Sequence, residues 1–211
     1  MGTRHWSNGQ LDLALVKRAL ATSGGREKAD RLIIEPDVGG GGTWYVNGLC
    51  AYRIYDATMQ LQLTAHFTGL AACRVTTVGA GDPAMAIRLA SVHYPEDATE
   101  ENLLPWSSWT HDGAVHGGST ARVFTRQDGQ LAIFNDAFVR PLQGLGWALY
   151  LASNRHPLLA VADGQVMAMA MPLAHEDHDG LLAPLPGVVV PAPAPSGITV
   201  PGHTGIVPSV V

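Results

Sequence analysis

The sequence predicts an α+β fold with a mainly β body and two helices. Three observations carry this. An apolar stripe at helical spacing runs along residues 11–25. Short apolar or alternating runs, punctuated by Asn-Gly and Asp-Gly pairs, recur through the body. A second helical segment lies between strands near residue 140.

The first stripe is made by Leu13, Val16 and Leu20, with Leu15 and Ala19 beside it. Asp12 stands at its start, where an acid suits the helix dipole. Gly24 and Gly25 supply a stop. Lys17 and Arg18 lie off the stripe. Next come a strand over 31–36 (RLIIEP), a glycine run at 39–42, a strand over 43–47 (TWYVN), the turn Asn47-Gly48 and a strand over 49–55 (LCAYRIY). Asn-Gly between two such runs is a strong hairpin signal, because both residues accept positive φ. The glycine run lacks the Lys-Ser/Thr and the helix that follow a phosphate loop, so it reads as a hairpin tip.

From Met59 the chain alternates, which predicts strands over 61–67 (LQLTAHF), 72–79 (ACRVTTVG) and 84–92 (AMAIRLASV). Residues 94–121 read as a long, polar, irregular connection, either functional or mobile. A hairpin through Asp128-Gly129 follows over 122–135. Then come a short helix over 136–146, weakened by Pro141 and Gly144, a strand over 148–153, and a second hairpin over 157–173 through Asp163-Gly164.

All thirteen Lys and Arg and all eighteen Asp and Glu precede residue 181. From Leu181 to Val211 there are seven prolines and no charge except on His203. Such a segment is expected to be extended and polyproline-like, either a passive tail or an arm docked on a partner. The chain therefore divides into a single α+β domain over 1–180 and an extended Pro-rich tail over 181–211.

Composition is globular, with 46% hydrophobic and 15% charged residues. A net charge of −5 argues against a simple basic nucleic-acid binder, but not against a protein that gathers its cations on one surface. Cys50 and Cys73 are isolated and read as buried thiols in a reducing compartment. The first ten residues are polar and no apolar run approaches the ~18 residues of a membrane helix. The expected location is the cytoplasm, or the host cytoplasm or virion for a phage protein. His175 and His178, and His111 with Asp112 and His116, are the densest metal-ligand clusters. The first follows the last strand as loop and has no third ligand at fixed spacing, and no metal and no cofactor is expected. No nucleophile motif stands out, so a non-enzymatic role is expected.

Within residues 130–173 a strand ends in Phe134-Asn135, and the helix after it carries Phe138, Val139, Leu142 and Leu145. Pro157 opens the penultimate strand, and Met171-Pro172-Leu173 closes the last one. In this order the segment resembles the closing half-domain of bacterial DNA polymerase sliding clamps. Upstream, TWYVNGLCAYRI is similar to a clamp strand-turn-strand, with Asn47 where the family has an acid, and HYPEDATEENLLP is similar to the connector between clamp domains. The resemblance implies a clamp-like pseudo-twofold domain of two βαβββ units, with helices on one face of antiparallel sheets. It implies a DNA-facing helix layer carrying Lys17, Arg18 and Arg140, which attracts phosphates without reading sequence. It implies a peptide-binding groove for a polymerase or loader, with Met169, Met171 and Pro172 (beside Met167) on one wall and Leu49 on the other. One such domain cannot encircle DNA, so a homo-oligomer is implied. The expected function is thus a processivity factor or adaptor. The alternatives are a structural or assembly protein, such as a virion component, whose C-terminal arm docks on neighbouring subunits, and a metal-dependent enzyme using His175 and His178.

Overall fold

The computed structural model describes residues 10–22, 30–37, 41–78, 103–106, 110–115 and 119–173. The fold is α+β: an eight-stranded sheet with helices on one face, and a three-stranded sheet beside it. Helix α1 (Leu13–Ala21) starts where Asp12 Oδ1 accepts from the N–H groups of Ala14 and Leu15, so the acid near the start is the N-cap. Its buried side is Val16, Ala19 and Leu20. The helix stops at Thr22, before the two glycines, which lie outside the described residues.

Strands β1 (Arg31–Pro36), β2 (Thr43–Val46) and β3 (Cys50–Ile54) form an antiparallel meander. The β2–β3 turn is centred one residue later than the Asn-Gly pair suggests. Asn47 N–H donates to Cys50 O, so Gly48 and Leu49 are the turn residues, and Gly48 takes φ +91°.

The segment expected as a strand over 61–67 is a helix, α2 (Ala57–Thr68). Met59, Leu63 and Phe67 recur at helical spacing; Leu63 and Phe67 are fully buried, while Leu61, which made the alternation, is 72% exposed. Asp56 caps the helix through Met59 N–H at 2.6 Å. Topology gives a second reason. Strand β4 (Arg74–Thr77) pairs parallel to β1, so the chain must cross from β3 over β2 and β1 to reach it, and a helix makes such a crossover. The sheet is therefore not wholly antiparallel, and there are three α-helices among the described residues. The strand expected over 84–92 lies outside the described residues.

The stretch read as irregular over 94–121 contributes β5 (Leu103–Leu104) to the large sheet, and β6 (Thr110–Val115) and the start of β7 (Ser119–Thr125) to the small one. Strand β8 (Leu131–Asn135) completes the small sheet in the order β6-β7-β8. Helix α3 (Asp136–Val139) is one turn, extended by a 3-10 turn over Arg140–Leu142 at Pro141. Strands β9 (Ala148–Tyr150), β10 (Leu158–Ala162) and β11 (Gln165–Ala170) form the last meander. Its Asp163-Gly164 turn has φ of +48° and +70°, as a two-residue hairpin loop requires.

The large sheet runs β4-β1-β2-β3-β11-β10-β9-β5. Its centre reads the same from both ends: a helix and three strands, α1-β1-β2-β3, meets α3-β9-β10-β11 at the β3–β11 seam. Helices α1 and α3 pack on each other over that seam. Two tyrosines facing each other in register anchor the helix layer to the sheet. Tyr45 Oη donates to Gln60 O of α2 at 2.8 Å, and Tyr52 Oη donates to Phe138 O of α3. The core between sheet, helices and the Phe124/Phe134 side of the small sheet holds Leu20, Leu32, Ile34, Leu63, Phe67, Leu149 and Leu158. Each fully buried Leu or Phe contributes about 1.5–3 kcal/mol of transfer free energy. No helix among the described residues is long and apolar enough to cross a membrane.

Candidate functional site

Two of the sequence-predicted peptide-binding residues meet at the end of the β3–β11 seam. Ladder pairing runs Ala168 to Tyr52, Met169 to Ala51 and Ala170 to Cys50, and Met171 N–H then donates to Leu49 O at 2.8 Å. Met171 is 40% exposed, while Leu49 and Pro172 are half-buried. The side chains then diverge. Leu49 packs against the core on the helix side of the sheet. Met169 packs on the opposite face with Trp44, Val46, Ala51, Val161 and Val166, and Met167 is buried. Leu173 N–H donates to Ile133 O at 2.8 Å and its side chain joins Ala121, Val123 and Ile133, so the closing strand ties the large sheet to the small one.

Asn47 builds this end of the sheet. Its Oδ1 accepts from Leu49 N–H at 2.9 Å and Cys50 N–H at 2.8 Å. Its Nδ2 donates to Ala19 O, Leu20 O and Thr22 O at 3.2, 3.1 and 3.0 Å. One buried amide thus shapes the turn and supplies donors to carbonyls at the end of α1 and its cap, where helix geometry leaves acceptors short of intrahelical partners; Ala19 O also accepts from Thr22 N–H. A carboxylate would lack those donors, which explains why this chain carries an amide here. The neighbouring Cys50 thiol donates to Ala19 O at 3.7 Å, and burial pushes its pKa far up, so it stays a thiol.

The sequence-predicted cations lie on the helix layer. Lys17 is half-buried on the flank of α1, and Arg18 is exposed on the side away from Val16 and Leu20. Arg140 follows α3 and is half-exposed, with its Nε 3.1 Å from Asp136 Oδ2. The other oxygen of Asp136 takes Arg122 Nε at 2.6 Å. Arg122 and Asp136 are both buried, and the Arg122 guanidinium lies 5.0 Å from the Trp106 ring centroid. Asp136 therefore holds an internal cation and an external one together. Asn135 caps α3 through Ala137 N–H at 3.0 Å while Phe134 fills the core, a structural account of the Phe-Asn pair.

A third cluster escaped the sequence reading. On the sheet face opposite the helices, register places Glu35, Trp44 and Arg53 in one row across β1, β2 and β3. The Arg53 guanidinium lies 5.8 Å from the Trp44 ring and 5.2 Å from the Tyr55 ring, and pairs with Asp37. Gln165 Oε1 accepts from Tyr55 Oη at 2.9 Å and Arg53 Nη1 at 3.3 Å. Glu35 is 4% exposed, and burial, then the charge of Asp37, raises its carboxyl above its usual range. Glu35 Oε2, Trp44 Nε1 and Arg53 Nε have no hydrogen-bond partner among the described residues. The signal was a lone acid in an apolar strand, set opposite a Trp once the hairpin register is known.

Among the described residues no group of three metal-ligating side chains gathers. His175, His178, His116 and the tail 181–211 lie outside them, as do the side chains of His111 and Asp112. Comparison with family models, characterised proteins and solved structures finds no match to this chain.

Proposed function

We propose that this chain is a clamp-like domain that acts, as a homo-oligomer, as a non-enzymatic DNA processivity factor or adaptor. The observation that carries the reading is the sheet order β1-β2-β3-β11-β10-β9, with α1 packed on α3 over its centre. That is the connectivity expected of two like units related by a pseudo-twofold axis, with a helix from each on one face. The first unit shows its helix and three strands among the described residues.

In this reading the helix layer faces DNA, and Lys17, Arg18 and Arg140 attract phosphates without base contacts. While Met169 turns to the face opposite Leu49 and supports the strand from there, Leu49, Met171 and Pro172, at the end of the seam, hold a short peptide from a polymerase or loader. The Leu49–Met171 bond supports it, because it joins the two walls that the resemblance assigns. Titration of duplex DNA at several salt concentrations tests the DNA face. Each cation removed in the variant K17Q/R18Q/R140Q is expected to flatten the log K against log salt slope by about 1. An unchanged slope refutes the assignment.

A further inference from the structure

We propose that Arg31 and Arg74 form a subsite for an acidic side chain of the peptide that docks at the β3–β11 seam. The proposal rests on the peptide-binding reading above and names the partner's chemistry.

The two arginines are directly opposite in the β1–β4 pairing, so their side chains leave the sheet side by side on the face opposite the helices. Both are exposed, and neither pairs with an acid among the described residues. Like charges directly opposite on neighbouring strands repel. An oxyanion between them removes that repulsion and can accept from both guanidinium forks. Asp30, the nearest acid in sequence, stands beside Cys73, whose side chain packs toward the helix-side core.

The pair is continuous with the seam. Ile33 pairs with Val46, so two residues on Arg31 reaches Gly48, and a Cβ built there would meet Arg31 Nη2 at 3.1 Å. Gly48 is followed by Leu49, which bonds Met171. The end of the sheet thus presents, in order, two cations, a bare glycine and, beyond Leu49, whose own side chain turns to the helix side, the partly exposed Met171. From β1 to β11 is three strand spacings, about 14 Å, or roughly four residues of extended peptide. The partner is a segment with an apolar residue on Met171 and Pro172 and an acid about four positions away.

The test uses the full chain and two labelled short peptides read by fluorescence anisotropy. One ends in Leu-Phe with two Asp about four positions before; the other carries Asn in their place. The acidic peptide is expected to bind about tenfold tighter, the worth of one charge-assisted contact. R31Q/R74Q is expected to abolish that ratio, R31K/R74K to keep part of it, and M171A to weaken both peptides. Equal binding of the two peptides by the unaltered chain overturns the acid subsite while leaving the peptide groove standing. Loss of duplex DNA binding in R31Q/R74Q with the peptide ratio intact assigns the pair to phosphate and also overturns it. Failure of both peptides to bind overturns the groove and the subsite together.

Discussion

The backbone N–H of Met171 donates to the carbonyl of Leu49 at 2.8 Å, and this bond extends the β3–β11 ladder past Cys50 to the end of the sheet. Residues over a hundred positions apart become neighbours at a half-exposed apolar step. The backbone makes the bond, so the side chain of Met171 is available for another purpose. Met171→Ala is expected to cost less than about 1 kcal/mol in urea unfolding, since 40% of the residue is exposed and no core cluster includes it, yet to weaken peptide binding. A loss of several kcal/mol would instead make Met171 a core residue.

Asn47 is the opposite case. While buried, its Oδ1 accepts two hydrogen bonds from the turn and its two Nδ2 hydrogens are shared among three carbonyls at the end of α1. Asn47→Ala removes the side-chain donor to Leu20 O and Thr22 O and both acceptor bonds of the turn, and is expected to cost about 2–4 kcal/mol. Asn47→Asp is expected to cost at least as much, because it also puts a negative charge at a helix C-terminus. Urea midpoints of the two variants check both values; an Asp variant as stable as the natural chain contradicts the capping role.

Much of this architecture is legible in the residues, and the failures have physical causes. The hairpin at Asp163-Gly164 follows from turn chemistry, because few residues tolerate positive φ at both positions. The 57–68 helix was hidden by an accident of pattern: Leu61, Leu63 and Ala65 alternate, while Met59, Leu63 and Phe67 keep the helical beat that burial uses. Its Asp56 cap was the decisive local signal. Edge strand β5 is two residues long and carries no periodicity at all. At the candidate site, Leu49 and Met171 were each visible, but the opposite facing of Leu49 and Met169 was not. It depends on how the turn residues twist out of the strand. The Glu35–Trp44–Arg53 row needed register, which composition cannot supply.

Glu35 makes stability depend on pH. Its folded carboxyl pKa is raised, so the folded state holds a proton that the unfolded state has released. Stability is then expected to fall as pH rises from the usual Glu range toward the folded value. Glu35→Gln is expected to remove that decline and to raise the melting temperature at neutral pH. Thermal unfolding at pH 4 to 7 checks it; parallel curves for the two proteins would contradict the raised carboxyl pKa.

Asp136 and Arg140 separate a buried ion pair from an exposed one. Asp136→Ala leaves Arg122 buried without its carboxylate and is expected to cost about 3–5 kcal/mol. Arg140→Ala removes a half-exposed partner and is expected to cost no more than about 1 kcal/mol. Chemical denaturation of both variants gives the contrast, and near-equal losses would refute it.

The clamp reading stands or falls on assembly, since a single domain of this size cannot enclose DNA. The direct measurement is the mass of the full chain in solution by light scattering, across concentration, with and without duplex DNA. The account predicts one discrete closed oligomer, a whole multiple of the chain mass. A strict monomer at every concentration, unchanged by DNA, contradicts it.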